Sequence, residues 1–267
     1  MKSVVRVLSY LLVSVVLGCG SGTITNPHGN SPNLNGSYSF IGLSQNSGTN
    51  IFTLGGPIQT DPSGHVTANF GVTSVGNTNT CFPAGSAGSF TGTLDSQGQL
   101  SLNSGAINGQ TINITGTVST DGNNFISGRP SYTITGGCLG GDHGTFFVSR
   151  LLAGQFTGSF LTTNGLVSVT VNFGPPGLPN GDTSFPLTGT ATFSNTAGCG
   201  GFTTGTITFG TQPGLQAAFI MATDVAGITL TFNGSTIDGS GLQFIGGFTI
   251  TGGPCNGSNG QVTLKRA

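Results

Sequence analysis

Seven aspartates, three histidines, five cysteines and no glutamate are the residues from which this 267-residue chain could build chemistry. Asp142 and His143, in "GGDHG", are the leading catalytic candidates, because an acid beside a histidine can orient it as a general base. Asp61 and His65, in "DPSGH", come second. Asp61, Asp95, Asp121, Asp182 and Asp238 all stand beside Gly, Pro, Ser or Asn, where aspartate usually makes a turn by bonding its own backbone. The sequence contains no G-x-S-x-G elbow, H-E-x-x-H, P-loop or EF-hand pattern. A single Asp in "GGCLGGDHG" offers too few oxygens for calcium. The expectation is a protein that is not an enzyme and has no cofactor or metal, with Asp142 and His143 as weak catalytic candidates.

The cysteines make sense only against an internal repeat. "TITGGCLGGDHGTFFVSR", Thr133 to Arg150, aligns without a gap on "TITGGPCNGSNGQVTLKR", Thr249 to Arg266, with eight of eighteen positions identical. Leu34-Asn35-Gly36-Ser37-Tyr38 matches Leu152-Ala153-Gly154-Gln155-Phe156, Cys81 matches Cys199, and Asp121-Gly122 matches Asp238-Gly239. One unit therefore occurs twice, as 34–150 and 151–267, each the size of an ordinary domain. Asp142-His143 has Ser258-Asn259 as its counterpart, so the second copy lacks the candidate pair. With Cys19 set apart, two cysteines remain per copy. Four cysteines allow three pairings; duplication favours Cys81 with Cys138 and Cys199 with Cys255. Zinc is the alternative, but C-x-x-C pairs and nearby histidines are missing.

Cys19 has a different setting. Lys2 and Arg6 precede an apolar run from Val7 to Leu17, the layout of a secretory signal peptide. The run is too short for the roughly 20 residues of a membrane-spanning helix. It ends in Val16-Leu17-Gly18-Cys19, which resembles the lipobox of bacterial lipoproteins, with Leu at the middle position in place of the commoner Ala. The resemblance covers residues 1–19. It implies removal of 1–18 by signal peptidase II, acylation of Cys19, and a membrane partner held through the N-terminal lipid. Acyl chains contribute about 0.8 kcal/mol per buried CH₂. Gly20, where Asp often marks inner-membrane retention, favours the outer membrane. Residues 19–33 then form the lipidated cysteine and a flexible tether rich in turn formers, with His28 solvated in it.

After processing, four basic residues (Arg129, Arg150, Lys265 and Arg266) face seven aspartates, a net charge of −3. Binding to nucleic acid through phosphate neutralisation is excluded on that balance. Gly numbers 49, far above the ordinary share of about 7%, yet 19 Phe and abundant Val, Ile and Leu supply a core.

Alternation of apolar and polar residues sets the elements. "TINITGTV" places Ile112, Ile114 and Val118 on one face and Thr111, Asn113, Thr115 and Thr117 on the other. "VSVTVNF" and "ITLTFN" do the same with Val167, Val169, Val171 and Phe173, and with Ile228, Leu230 and Phe232. Similar runs recur between Gly, Asn-Gly and Asp-Gly turns. The fold class is therefore all-β: two tandem homologous antiparallel domains of seven or eight strands each, β-sandwich or small β-barrel, after a signal peptide and tether. Tyr38 and Phe156, following "L-x-G-x", resemble the first strand of lipocalin- or avidin-like barrels, without the Trp those carry. An outer-membrane barrel would want aromatic girdles, and the chain has no Trp and three Tyr. Thr-rich runs such as "TGTATF" could build a flat adhesive face, but threonine is also an ordinary strand former. Taken together the residues imply a lipid-anchored, exported envelope protein that binds an envelope protein or glycan without catalysis. A binder of small apolar ligands inside a barrel is the alternative, and a hydrolase a more distant one.

Overall fold

The computed structural model describes residues 32–75, 81–119, 126–180, 184–237 and 239–267. The signal peptide, Cys19, most of the tether with His28, and Asp121, Asp182 and Asp238 lie outside the described residues. The first copy contributes β1 (Gly36–Ser44), β2 (Asn50–Thr60), β3 (His65–Ser74), β4 (Ser86–Leu94), β5 (Gln99–Ser104), β6 (Thr111–Val118), β7 (Ile126–Thr135) and β8 (His143–Arg150). The second contributes β9 (Gly154–Thr162), β10 (Gly165–Phe173), β11 (Phe185–Pro186), β12 (Gly189–Ser194), β13 (Thr204–Gln212), β14 (Gln216–Thr223), β15 (Thr229–Thr236), β16 (Gln243–Thr251) and β17 (Asn259–Arg266).

Both copies are closed up-and-down barrels, which settles the choice between sandwich and barrel. In the first, each strand pairs with the next and β8 returns to β1, Tyr38 opposite Arg150 and Ser44 opposite Gly144. In the second, β9, β10 and β12 to β17 close the same way through Arg266 opposite Phe156, and two-residue β11 is added beside β13. Closure removes the free edges that would otherwise invite pairing with other chains.

Eight strands leave an interior just wide enough for side chains to fill, and the inward positions carry rings. Phe90, Phe70, Phe40, Phe146 and Tyr132 follow one another at centroid distances of 4.9, 5.3, 5.4 and 4.9 Å, with Phe52 and Phe82 beside them. In the second barrel Phe156, Phe173, Phe219 and Phe232 form a similar series at 5.4, 5.3 and 4.8 Å. Tilted, edge-on and stacked ring pairs of this kind add about 0.5–1.5 kcal/mol beyond their burial. The outer positions carry exposed Thr91, Thr93, Thr115 and Thr117. Apolar inside and polar outside is the reverse of a water-filled membrane barrel.

The repeat shows in the closures too. Arg150 lies over the Tyr38 ring and donates to the Asn35 carbonyl; Arg266 lies over Phe156 and donates to the Ala153 carbonyl. At the opposite end, Cys81–Cys138 and Cys199–Cys255 are disulfides within each copy. Each ties the loop after the third repeat strand (β3, β12) to the turn before the last (β8, β17). Their separations of 57 and 56 residues correspond to about 4 kcal/mol in the chain-entropy model.

The second copy differs from the first where the barrels meet. Between β2 and β3 runs a tight turn, Asp61–Gly64; at the equivalent place, between β10 and β12, runs the longer segment 174–188. From that segment Phe185, fully buried, and Pro179 pack on the flank of the first barrel. They need a flat landing. Gly55 and Gly71 are partners across β2 and β3, and a Cβ at either would stand 2.0 Å from the Phe185 ring or 2.5 Å from Pro179. Leu152 N–H to Gln212 Oε1 (2.9 Å), Ser149 Oγ to the Gly214 carbonyl (2.9 Å) and Arg150 N–H to the Gly239 carbonyl (2.8 Å) complete the junction.

Candidate functional site

The structure separates Asp142 from His143. Asp142 is buried at the disulfide end of the first barrel: Oδ1 accepts from Ser44 Oγ at 2.6 Å and Asn46 Nδ2 at 3.1 Å, and Oδ2 accepts from Tyr132 OH at 2.8 Å. Burial first, and then the Asp142 carboxylate, push the Tyr132 hydroxyl well above the ordinary tyrosine range. The Ser44 hydroxyl also accepts the Asn46 and Ser47 amides. The carboxylate therefore organises the β1–β2 turn. His143, the next residue, is exposed and opens β8. In the second copy Phe248 and Ser258 replace Tyr132 and Asp142, and the Ser258 hydroxyl meets Thr163 instead. The carboxylate and its phenol donor are absent together.

Asp61 and His65 do line a common space, an open cleft of about 580 Å³ at the other end of the first barrel, with Asn35, Gln59 and Thr60. Asp61 Oδ1, however, accepts from Ser63 N–H and Oγ and from the His65 N–H at 2.9, 2.7 and 2.9 Å. The Ser63 hydroxyl, followed by the His65 amide, holds its carboxyl below the ordinary value, the wrong direction for a general base at neutral pH. Asp95 caps its turn in the same way through the Gln97 and Gln99 amides.

Another opening was not among the residues that sequence reasoning singled out. It is a groove of about 380 Å³ at the junction of the barrels, lined by Ile41, Gly128, Arg129, Phe147, Val148 and Leu215. Ser149 and Gly214, which bond each other across the junction, lie at its side. Phe147 and Leu215 are each 45% exposed there, and the Arg129 guanidinium carbon sits 4.3 Å from the centre of the Phe147 ring.

Pro130 explains why the groove is open. The β7–β8 ladder runs from Thr133 opposite His143 to Ser131 opposite Thr145 and stops. The next rung would set Pro130 against Phe146. Ile134 N–H bonds the Asp142 carbonyl, so every second residue from there, including position 130, falls where the β7 amide should donate to β8. Proline has no amide hydrogen. Gly128, at φ +71°, turns the strand further aside. In the second barrel Gly246 stands opposite Val262 at the same place, and that ladder is continuous from Gln243 to Thr249. "SGRP" in β7 against "QFIGG" in β16 was the available sequence signal: a proline inside an alternating strand, at a point where the two copies disagree.

Fold and site thus define a class, a tandem of two disulfide-braced, ring-filled eight-stranded barrels with its clefts on the outside. No protein-family model matches the chain, and no curated protein does. Among solved structures, kievitone hydratase from Nectria haematococca superposes over 92% of this chain and 95% of its own with 10% identity and a TM-score of 0.21, which carries no argument about this protein.

Proposed function

We propose that the chain is an exported, lipid-anchored envelope protein, tethered through Cys19 to the outer membrane, whose barrels act as a non-catalytic binding module through their outer surface. The observation that carries the outer-surface part is the packing of the barrel axes. Rings in mutual contact at 4.4–6.4 Å occupy the space where a carrier would keep its cavity, while the clefts lie outside. This counts against the alternative of a small apolar ligand held inside a barrel. The burial of Asp142 among Ser44, Asn46 and Tyr132 supports a structural role for the first catalytic candidate. The two disulfides support an oxidising compartment. The partner class remains an envelope protein or glycan.

Three measurements test this. Mass spectrometry of the N-terminal peptide should find diacylglycerol on Cys19, and Cys19→Ala should release the protein from membranes; a variant that stays membrane-bound overturns the anchor. Substrate turnover by the purified chain that His143→Ala abolishes would overturn the non-catalytic reading.

A further inference from the structure

We infer that the junction groove binds a small amphiphilic anion: an apolar body, flat or branched, carrying one carboxylate or sulfonate. The inference rests on the outer-surface reading above and adds a small-molecule ligand to the envelope protein or glycan proposed there. Three observations carry it. The first is composition: Ile41, Phe147, Val148 and Leu215 supply apolar wall, and Arg129 is the charged residue of the lining. Its planar guanidinium fork suits a carboxylate.

The second is how the three described arginines are used. Arg150 and Arg266 are spent on barrel closure, each bonding a carbonyl and covering an aromatic ring. Arg129 lies instead over the exposed Phe147 ring. A guanidinium lying on a ring keeps its edge free to donate.

The third is where the copies part. Arg129 and Pro130 stand where the second copy has Ile245 and Gly246, and Phe147 stands where it has Thr263. The wall residue Leu215 comes from the β13–β14 turn, whose counterpart in the first copy is the polar turn after Asp95. The opened ladder, the cation and the exposed Phe147 therefore occur together in the first copy and are missing together from the second. The volume falls in the range of small-molecule sites.

The test is photolabelling of the full-length exported chain with 4-benzoylbenzoate, an apolar benzophenone with a carboxylate, and with neutral 4-benzoylbenzamide. Adducts should concentrate on the peptides holding Ile41, Phe147 and Leu215, and excess 2-naphthoate should suppress them. Arg129→Gln should cut labelling by the acid about tenfold, the loss expected for one part-exposed charged hydrogen bond. Labelling by the amide should stay within about twofold. Leu215→Asp, on the other barrel, should abolish labelling by both, so the inference does not hang on one variant's folding. Adducts scattered over the surface, or acid labelling unchanged in Arg129→Gln, overturn the inference and leave the outer-surface reading standing. Adducts on inward residues such as Phe90 or Phe232 overturn both.

Discussion

Replacing Tyr132 by Phe should destabilise the first barrel by about 2 kcal/mol, and replacing Asp142 by Ser at the same time should recover part of that loss. Tyr132 OH donates to Asp142 Oδ2 at 2.8 Å in a buried site, and the other carboxylate oxygen is held by Ser44 and Asn46. Hydrogen bonds to charged groups contribute about 1.5–3 kcal/mol, and an oxygen left without its donor also bears the desolvation cost. Asp142→Ser alone strands the phenol and empties the space of the carboxylate. The double variant restores the Phe and Ser that the second copy has at Phe248 and Ser258, where no charge is buried. Urea unfolding of the wild type, both singles and the double gives a cycle whose coupling term should be about 1–2 kcal/mol. Additivity within about 0.5 kcal/mol would refute the argument that the two residues act as a unit.

Three further outcomes follow from the geometry. Burial raises the Tyr38 phenol from 10.0 to about 12, with Arg150 and Arg266 opposing. The neutral form is the one folding favours, so that stability is complete below pH 10 and drains away as pH rises through 12. The first barrel should lose urea resistance over that window, Tyr38→Phe should blunt the loss, and the second barrel, with Phe156 there, should not show it. Pro130→Ala should supply the missing donor to Phe146 and lengthen the β7–β8 ladder; the amide gained at position 130 should be protected from hydrogen exchange, exchange at Val148 should slow, and labelling of the groove should fall. Gly55→Ala drives a methyl into the Phe185 ring and should cost about 1–3 kcal/mol of barrel–barrel stability, a penalty that shrinks in a Phe185→Ala background when both are measured by thermal unfolding.

Much of the architecture was legible in the residues. Ile112, Ile114 and Val118 point inward as their alternation requires, as do Val167, Val169, Val171 and Phe173. The repeat named the disulfide partners, because two sibling copies must each close their own loop. What alternation could not reveal was closure: a strand reads the same in a sandwich as in a barrel, and only the pairing of β1 with β8 distinguishes them. Asp142 drew attention through its neighbour His143, yet its partners were Tyr132, ten residues back, and Ser44, near the far end of the copy. The groove was hidden for a similar reason. Its walls come from β1, β7, β8 and a turn of the other copy, so no local motif marks it, and Pro130 acts by the bond it cannot make.

The two disulfides have a consequence for how such a chain matures. Sibling sequences in tandem risk exchanging strands during folding, since a strand of one ring can be mistaken for its counterpart in the other. A sulfur bridge that links two loops of the same ring closes a segment holding four of its strands, β4 to β7 in the first copy and β13 to β16 in the second. Pairing within each copy thus favours each ring closing on its own strands, whereas a bridge from one copy to the other would hold strands of different rings together.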